Sequence, residues 1–330
     1  MRVAMKMPAS RREPAGRLFE GMARGEARTH RKLSMLALMG ADRPGPAYLL
    51  LNDAMATGLV TVGEVSEGGS VPELLLDNRA ERPVLAVDGQ ELIGARQNRV
   101  LNLSLLLAAV SKTVVPVSCV EQGRWHYESR EFSPSRHMMF ASAKLSKAHH
   151  VTRSMRRDGS RHSDQGDVWE RVASKFEALG KDSPTMAMDE VFEDFDGDLG
   201  AFAKALSPVA GQRGAVYLVD GVLAGVELFD RAATFAALHE SLTRSYAMDA
   251  LEAERRKPAH RDVGDAAQFL SSLAATEAEV WPAVGLGEDW RSSDAAVVLA
   301  ALVVDGVAVH VSAAPVQPDG EEGRWPEMDE

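Results

Sequence analysis

"VYLVDGVLAGVEL", Val216 to Leu228, sets Asp220-Gly221 between two runs of apolar and β-branched residues. Asp-Gly supplies the positive φ values of a two-residue type I′ turn, so the stretch reads as a β-hairpin. The device recurs in "VLAVDGQELIG" around Asp88-Gly89 and in "ALVVDGVAVHVSA" around Asp305-Gly306. Three hairpins are therefore expected. Val-Asp-Gly is short, and turn chemistry alone accounts for the recurrence as well as an old duplication would.

Helical patterns separate the hairpins. In "DVWERVASKFEALG" the apolar residues Val168, Val172, Phe176 and Leu179 fall on one face, and Gly180 suits the position just past the last turn. "RAATFAALHESLTRSYAMDALEAERRK" places Phe235, Leu238, Leu242 and Tyr246 on a stripe that Pro258 ends. "DVGDAAQFLSSLAA" reads as a third helix. Strands paired by hairpins, with helices concentrated in the second half, define an α+β fold with a largely antiparallel sheet rather than alternating βαβ units.

The chain has 330 residues, 45% hydrophobic and 26% charged, enough to bury a full core. Its one cysteine, Cys119, excludes an intrachain disulfide or a CxxC motif and points to a reducing cytoplasm. No apolar run approaches the roughly 20 residues of a membrane helix. The net charge of −11 argues against nonspecific nucleic-acid binding. Residues 1–24 are Arg-rich without an apolar run, which excludes a secretory signal and reads as a disordered tail or an early start codon. Residues 315–330 read as an acidic disordered tail, leaving 25–314 as a single α+β domain that divides, if at all, into lobes 25–162 and 163–314.

One segment runs against the acidic balance. Between Arg130 and His162, Arg130, Arg136, Lys144, Lys147, Arg153, Arg156, Arg157 and Arg161 face only Glu131 and Asp158. It reads either as a solvated loop or as a holder of a phosphorylated ligand.

Two further stretches concentrate polar chemistry. "VDGQELIGARQNRV" carries Glu91, Arg96, Gln97, Asn98 and Arg99 straight after its turn, with strand alternation putting Gln97 and Arg99 on one face. In "VVPVSCVEQGRWHYE", Cys119 and Glu121 share a face and Gly123 ends the strand before Arg124, Trp125 and His126. Buried guanidinium and amide groups must be satisfied, either by one another and Glu121 or by a ligand. Gln97, Arg99, Arg124 and Trp125 are the candidate ligand contacts, with arginines for phosphates and an indole for a base. Glu121, Cys119 and His126 are the candidate catalytic groups: a carboxylate base, or a thiol nucleophile with an imidazole base. "VGLGEDWR" adds a glycine-rich turn with Glu288 and Arg291. His149 and His150 are adjacent and point apart, no HExxH occurs, and no metal site or cofactor is assigned.

These motifs, with "GGSVPELLLDN", "DQGDVWERV", "SPTMAMDEVFED", "GVELFD" and "SLTRSYAMDAL", resemble the bacterial ARG and rhodanese-phosphatase-superfamily-associated protein family from about Thr29 to Ala314. The matching positions include Gly94, Gln97, Arg99, Cys119, Glu121, Gly123, Arg124 and Trp125. The family often has an acid where this chain has Asn98, so no base or metal ligand is assigned there. The resemblance implies genomic association with ADP-ribosylglycohydrolases, and hence a small nucleotide-like or ADP-ribose-related ligand. The chain fits both a hydrolase of such a ligand and a noncatalytic sensor or scaffold with a protein partner in a nucleotide-linked conflict or stress system.

Overall fold

The computed structural model describes residues 11–43, 45–66, 72–124, 129–256, 265–293 and 296–316. Its elements run β1 (Arg11–Pro14), a 3-10 turn (Ala15–Phe19), β2 (Ala23–His30), β3 (Leu33–Met39), β4 (Leu49–Leu50), α1 (Leu51–Ala56), β5 (Val60–Glu64), β6 (Glu73–Asn78), β7 (Val84–Ala86), β8 (Gln90–Gly94), β9 (Arg99–Leu101), β10 (Leu105–Leu107), β11 (Ser111–Cys119) and β12 (Phe132–Met138). There follow α2 (Ala141–Asp158), α3 (Gln165–Ala178), α4 (Met188–Asp194), α5 (Asp196–Ala205), β13 (Gln212–Val219), β14 (Val222–Phe229), α6 (Ala232–Arg255), α7 (Ala266–Ala275), β15 (Glu277–Pro282), β16 (Glu288–Ser293), β17 (Val297–Val304) and β18 (Val307–Pro315).

The protein is α+β, as its hairpins and late helices imply. An antiparallel sheet takes the strand order β1-β15-β16-β17-β18-β14-β13-β3-β2, and a second sheet the order β12-β8-β9-β11-β6-β5. The strands are shared out differently from a division at residue 162: β1 to β3 belong to the sheet of the C-terminal half. Residues 11–24 are likewise no disordered tail. β1 pairs with β15, and Ala15 and Leu18 bury themselves under α7 beside Phe269 and Leu273. Of the acidic tail, Pro315 still pairs with Val297, and 317–330 lie outside the described residues.

Two of the three Asp-Gly turns are the expected hairpins. Asp220 and Gly221 have φ of 51° and 77°, and Asp305 and Gly306 have 50° and 76°, closing β13–β14 and β17–β18. The first is not: only Gly89 has positive φ, Gln90 N–H donates to Val87 O, and β7 pairs with β10 and β4 rather than β8. That pattern is a type II turn. It releases β8 into the other sheet, because Asp88 N–H donates to Ser104 Oγ and its carboxylate accepts from Lys147.

The α3 stripe is buried as patterned, from Val168 at 0% to Val172 at 2% exposure, and Gly180 follows the helix with φ of 60°. Phe235, Leu238, Leu242 and Tyr246 of α6 cover one face of the large sheet, packing with Met35, Ala215, Tyr217 and Phe229. α7 and the 3-10 turn cover the opposite face. The basic segment is strand β12 and helix α2, not a solvated loop, and α2 buries Lys144 and Lys147 against the large sheet. Among the described residues, no helix is long and apolar enough to cross a membrane.

Candidate functional site

The β9–β11 register sets Arg99 opposite Cys119, which gathers most of the residues expected at a site. Arg99 Nη1 donates to Gln97 Oε1 at 3.1 Å and to Cys119 Sγ at 2.7 Å. Gln97 Nε2 donates to Glu121 O at 2.7 Å. Arg124 grips the Glu121 carboxylate through Nε at 2.7 Å and Nη2 at 2.6 Å, and its Nη1 donates to Ala95 O at 2.8 Å. Asn98 N–H completes the carboxylate at 3.0 Å, while Asn98 Nδ2 donates to Asp189 Oδ1. Gly94 and Gly123 permit this closeness: a Cβ on the first would lie 2.6 Å from Ser129 Oγ, and on the second 2.7 Å from Thr185 Cα.

The structure therefore brings Gln97, Arg99, Cys119, Glu121 and Arg124 together and, among the described residues, packs them against one another. All five are buried. Arg99 Nη2 lies 3.9 Å from Glu64 Oε1, the widest joint in the cluster. Burial pushes the Cys119 thiol up to about 11, against the pull of Arg99. The thiol that the sequence suggested as a nucleophile thus sits buried against Arg99 and Gln97. Trp125 and His126 lie outside the described residues.

The large sheet carries a second constellation that the sequence reading did not assemble. Register places Arg291 of β16 beside Ala300 of β17, Ala300 beside Ser312 of β18, and Ser312 beside Glu227 of β14. The next row runs Asp289, Leu302, His310, Phe229. Period-two alternation thus puts Glu227, Asp289, Arg291, His310 and Ser312 on one sheet face. A bulge between Leu302 and Val303 leaves Val309 without an opposite residue and keeps His310 on this face.

α2 and the second sheet close over the row. Lys144 bonds Glu227, Lys147 bonds Asp88, and Lys147 also donates to Leu101 O at 2.8 Å. Tyr246 of α6 donates to Glu227 Oε1 at 2.9 Å, reaching it over Gly225, where a Cβ would lie 2.5 Å from the phenol oxygen. Burial pushes the Glu227 carboxyl up, but Lys144 and His310 outweigh it and hold it down at about 2. Lys147 is lowered by burial with Asp88 opposing. Arg291 spends Nε and Nη2 on Asp289, leaving Nη1 buried without a hydrogen bond; Asp88 Oδ2 and Arg161 Nε are in the same condition.

Two small clefts open here and share Ser312. One is lined by Lys144, Ala224, Tyr246 and Val298 among others. The second is lined by Asp88, Ser104, Asp289, Arg291 and His310 among others, and its free volume is about 10 Å³, roughly the space of one water.

Fold and site together define an α+β protein with a polar, ion-paired row where the large sheet meets α2 and the second sheet. The chain belongs to the ARG and rhodanese-phosphatase-superfamily-associated protein domain family, whose model matches residues 21–314. No curated protein and no solved structure matches it.

Proposed function

We propose that the protein binds a small phosphorylated, nucleotide-like ligand, in the class of ADP-ribose and related compounds, with its anionic head in the cleft at Ser104, Arg291 and His310. The charge inventory carries this reading. Lys144, Lys147, Arg161 and Arg291 face Asp88, Glu227 and Asp289, one formal positive charge in excess, and Arg291 and Arg161 each keep a nitrogen without a partner. An incoming phosphate would satisfy those donors and balance the charge. The site is at home in a reducing cytoplasm, consistent with the single buried cysteine.

A thermal-shift panel of ADP-ribose, AMP and inorganic phosphate tests it. A ligand at 100 times its dissociation constant stabilises by about 2.7 kcal/mol. At about 2.1 cal/mol/K per residue over 330 residues, that is a Tm rise of about 4 °C. Arg161→Ala should abolish the rise. If no phosphorylated compound moves Tm, the reading fails in favour of a scaffold that binds another protein.

A further inference from the structure

Ser104 Oγ lies 2.7 Å from His310 Nδ1, and His310 Nε2 lies 2.9 Å from Glu227 Oε2. A carboxylate can only accept, so Nε2 carries a proton; in the neutral ring Nδ1 then accepts and the Ser104 hydroxyl is the donor. Asp88 N–H donates to the same oxygen at 2.9 Å, fixing the hydroxyl's remaining direction. The ring is held flat against Phe229, centroids 4.6 Å apart. His310 and Glu227 are buried, whereas Ser104 is partly exposed and lines the cleft. A hydroxyl, an imidazole and a carboxylate in series, with only the hydroxyl open, is the arrangement that activates a serine. The two ring nitrogens are used in the opposite sense to serine proteases, but roles and geometry define such a relay.

We propose that Ser104 is the nucleophile of a phosphate-ester hydrolysis at this cleft, with His310 as its general base and acid and Glu227 as the carboxylate that orients and balances the imidazole. The substrate class rests on the ligand reading above; the relay stands on its own distances. Ser104 Oγ attacks phosphorus as its proton passes to His310 Nδ1, and the bond from phosphorus to the leaving alkoxide breaks. The alkoxide takes that proton and departs as an alcohol. Water, giving a proton to His310, then attacks the phosphoserine; the P–Oγ bond breaks, the proton returns to Ser104, and the phosphate leaves, as inorganic phosphate from a monoester such as AMP or still carrying its remaining substituent from a diphosphate such as ADP-ribose. Glu227 stays ionised, offsetting the imidazolium. Arg291 Nη1, unpaired in the same cleft, offers its charge to the phosphoryl oxygens.

The test is to incubate the full chain with a fluorophosphonate, whose fluoride the serine displaces to leave a stable phosphonate ester, and to read intact mass and map the modified peptide. One adduct per chain at Ser104 is expected. His310→Gln should slow it by about 100-fold or more, the usual worth of a general base. Ser104→Ala should take no adduct. An adduct at Ser104 with no ligand shift supports the relay and removes the phosphate-ester class. A folded wild-type chain that takes no adduct, or takes it at another residue, overturns the proposal.

Discussion

Replacing Arg124 separates a structural clamp from a binding site. Its guanidinium holds Glu121 at 2.7 and 2.6 Å, with side chains 4% and 5% exposed, so Arg124→Met strands a buried carboxylate. Breaking one partner of such a pair costs about 3–5 kcal/mol. With an unfolding entropy of about 2.1 cal/mol/K per residue over 330 residues, Tm should fall by about 4–7 °C. Adding Glu121→Gln removes the stranded charge and should recover much of the loss, giving a coupling energy of about 0.5–3 kcal/mol in a double-mutant cycle by urea denaturation. The ligand-induced Tm rise should survive in both variants. The reasoning is refuted if Arg124→Met is as stable as wild type but no longer responds to ligand, because the arginine would then be contacting that ligand.

Glu91 should make the protein lose stability as pH rises. Burial raises its pKa well above the ordinary carboxyl value, Asp189 and Glu121 push the same way, and Oε1 has no hydrogen-bond partner. The fold holds a proton that the unfolded chain releases above about pH 4.5, so stability falls with pH until the folded-state pKa is passed, by up to about 1.4 kcal/mol per pH unit. Glu91→Gln removes that slope, and urea midpoints at pH 5, 6 and 7 should diverge progressively from wild type; parallel midpoints would contradict the assignment. Cys119 should resist iodoacetamide in the native chain and react once urea unfolds it, since it is buried and its thiol lies near 11; rapid native alkylation would show it to be reachable.

What the sequence made legible was whatever obeyed a single period. The α3 stripe and two Asp-Gly hairpins are local patterns whose packing follows from spacing alone. Helix α2 escaped because its buried face carries Lys144, Lys147 and His150 between alanines, so burial does not show as hydrophobicity. The first Asp-Gly turn misled because the side-chain partners that decide it, Ser104 and Lys147, arrive from elsewhere in the fold. Gln97, Arg99, Glu121 and Arg124 were found as a group because two quoted stretches become neighbouring strands. The sheet row was not, since Glu227, Asp289, Arg291 and His310 are scattered through strands otherwise largely apolar, and only their register joins them. One signal was available: an isolated charged residue within an apolar strand, as in "GVELFD" and "GVAVHVSA", has to meet a partner if that face is buried.

The two constellations are mechanically linked through the stretch from Asp88 to Ser104. The clamp at Gln97, Arg99 and Arg124 fixes this segment to β11 and to the start of α4, while Asp88 and Ser104 at its ends face the large sheet. A buried polar network is costly to assemble and tolerates little displacement, because each broken bond leaves a group that nothing else satisfies. Such a network suits the placing of one hydroxyl within hydrogen-bond range of a histidine that belongs to another sheet. The polar residues that follow the first Asp-Gly turn thus support the Ser104–His310 contact.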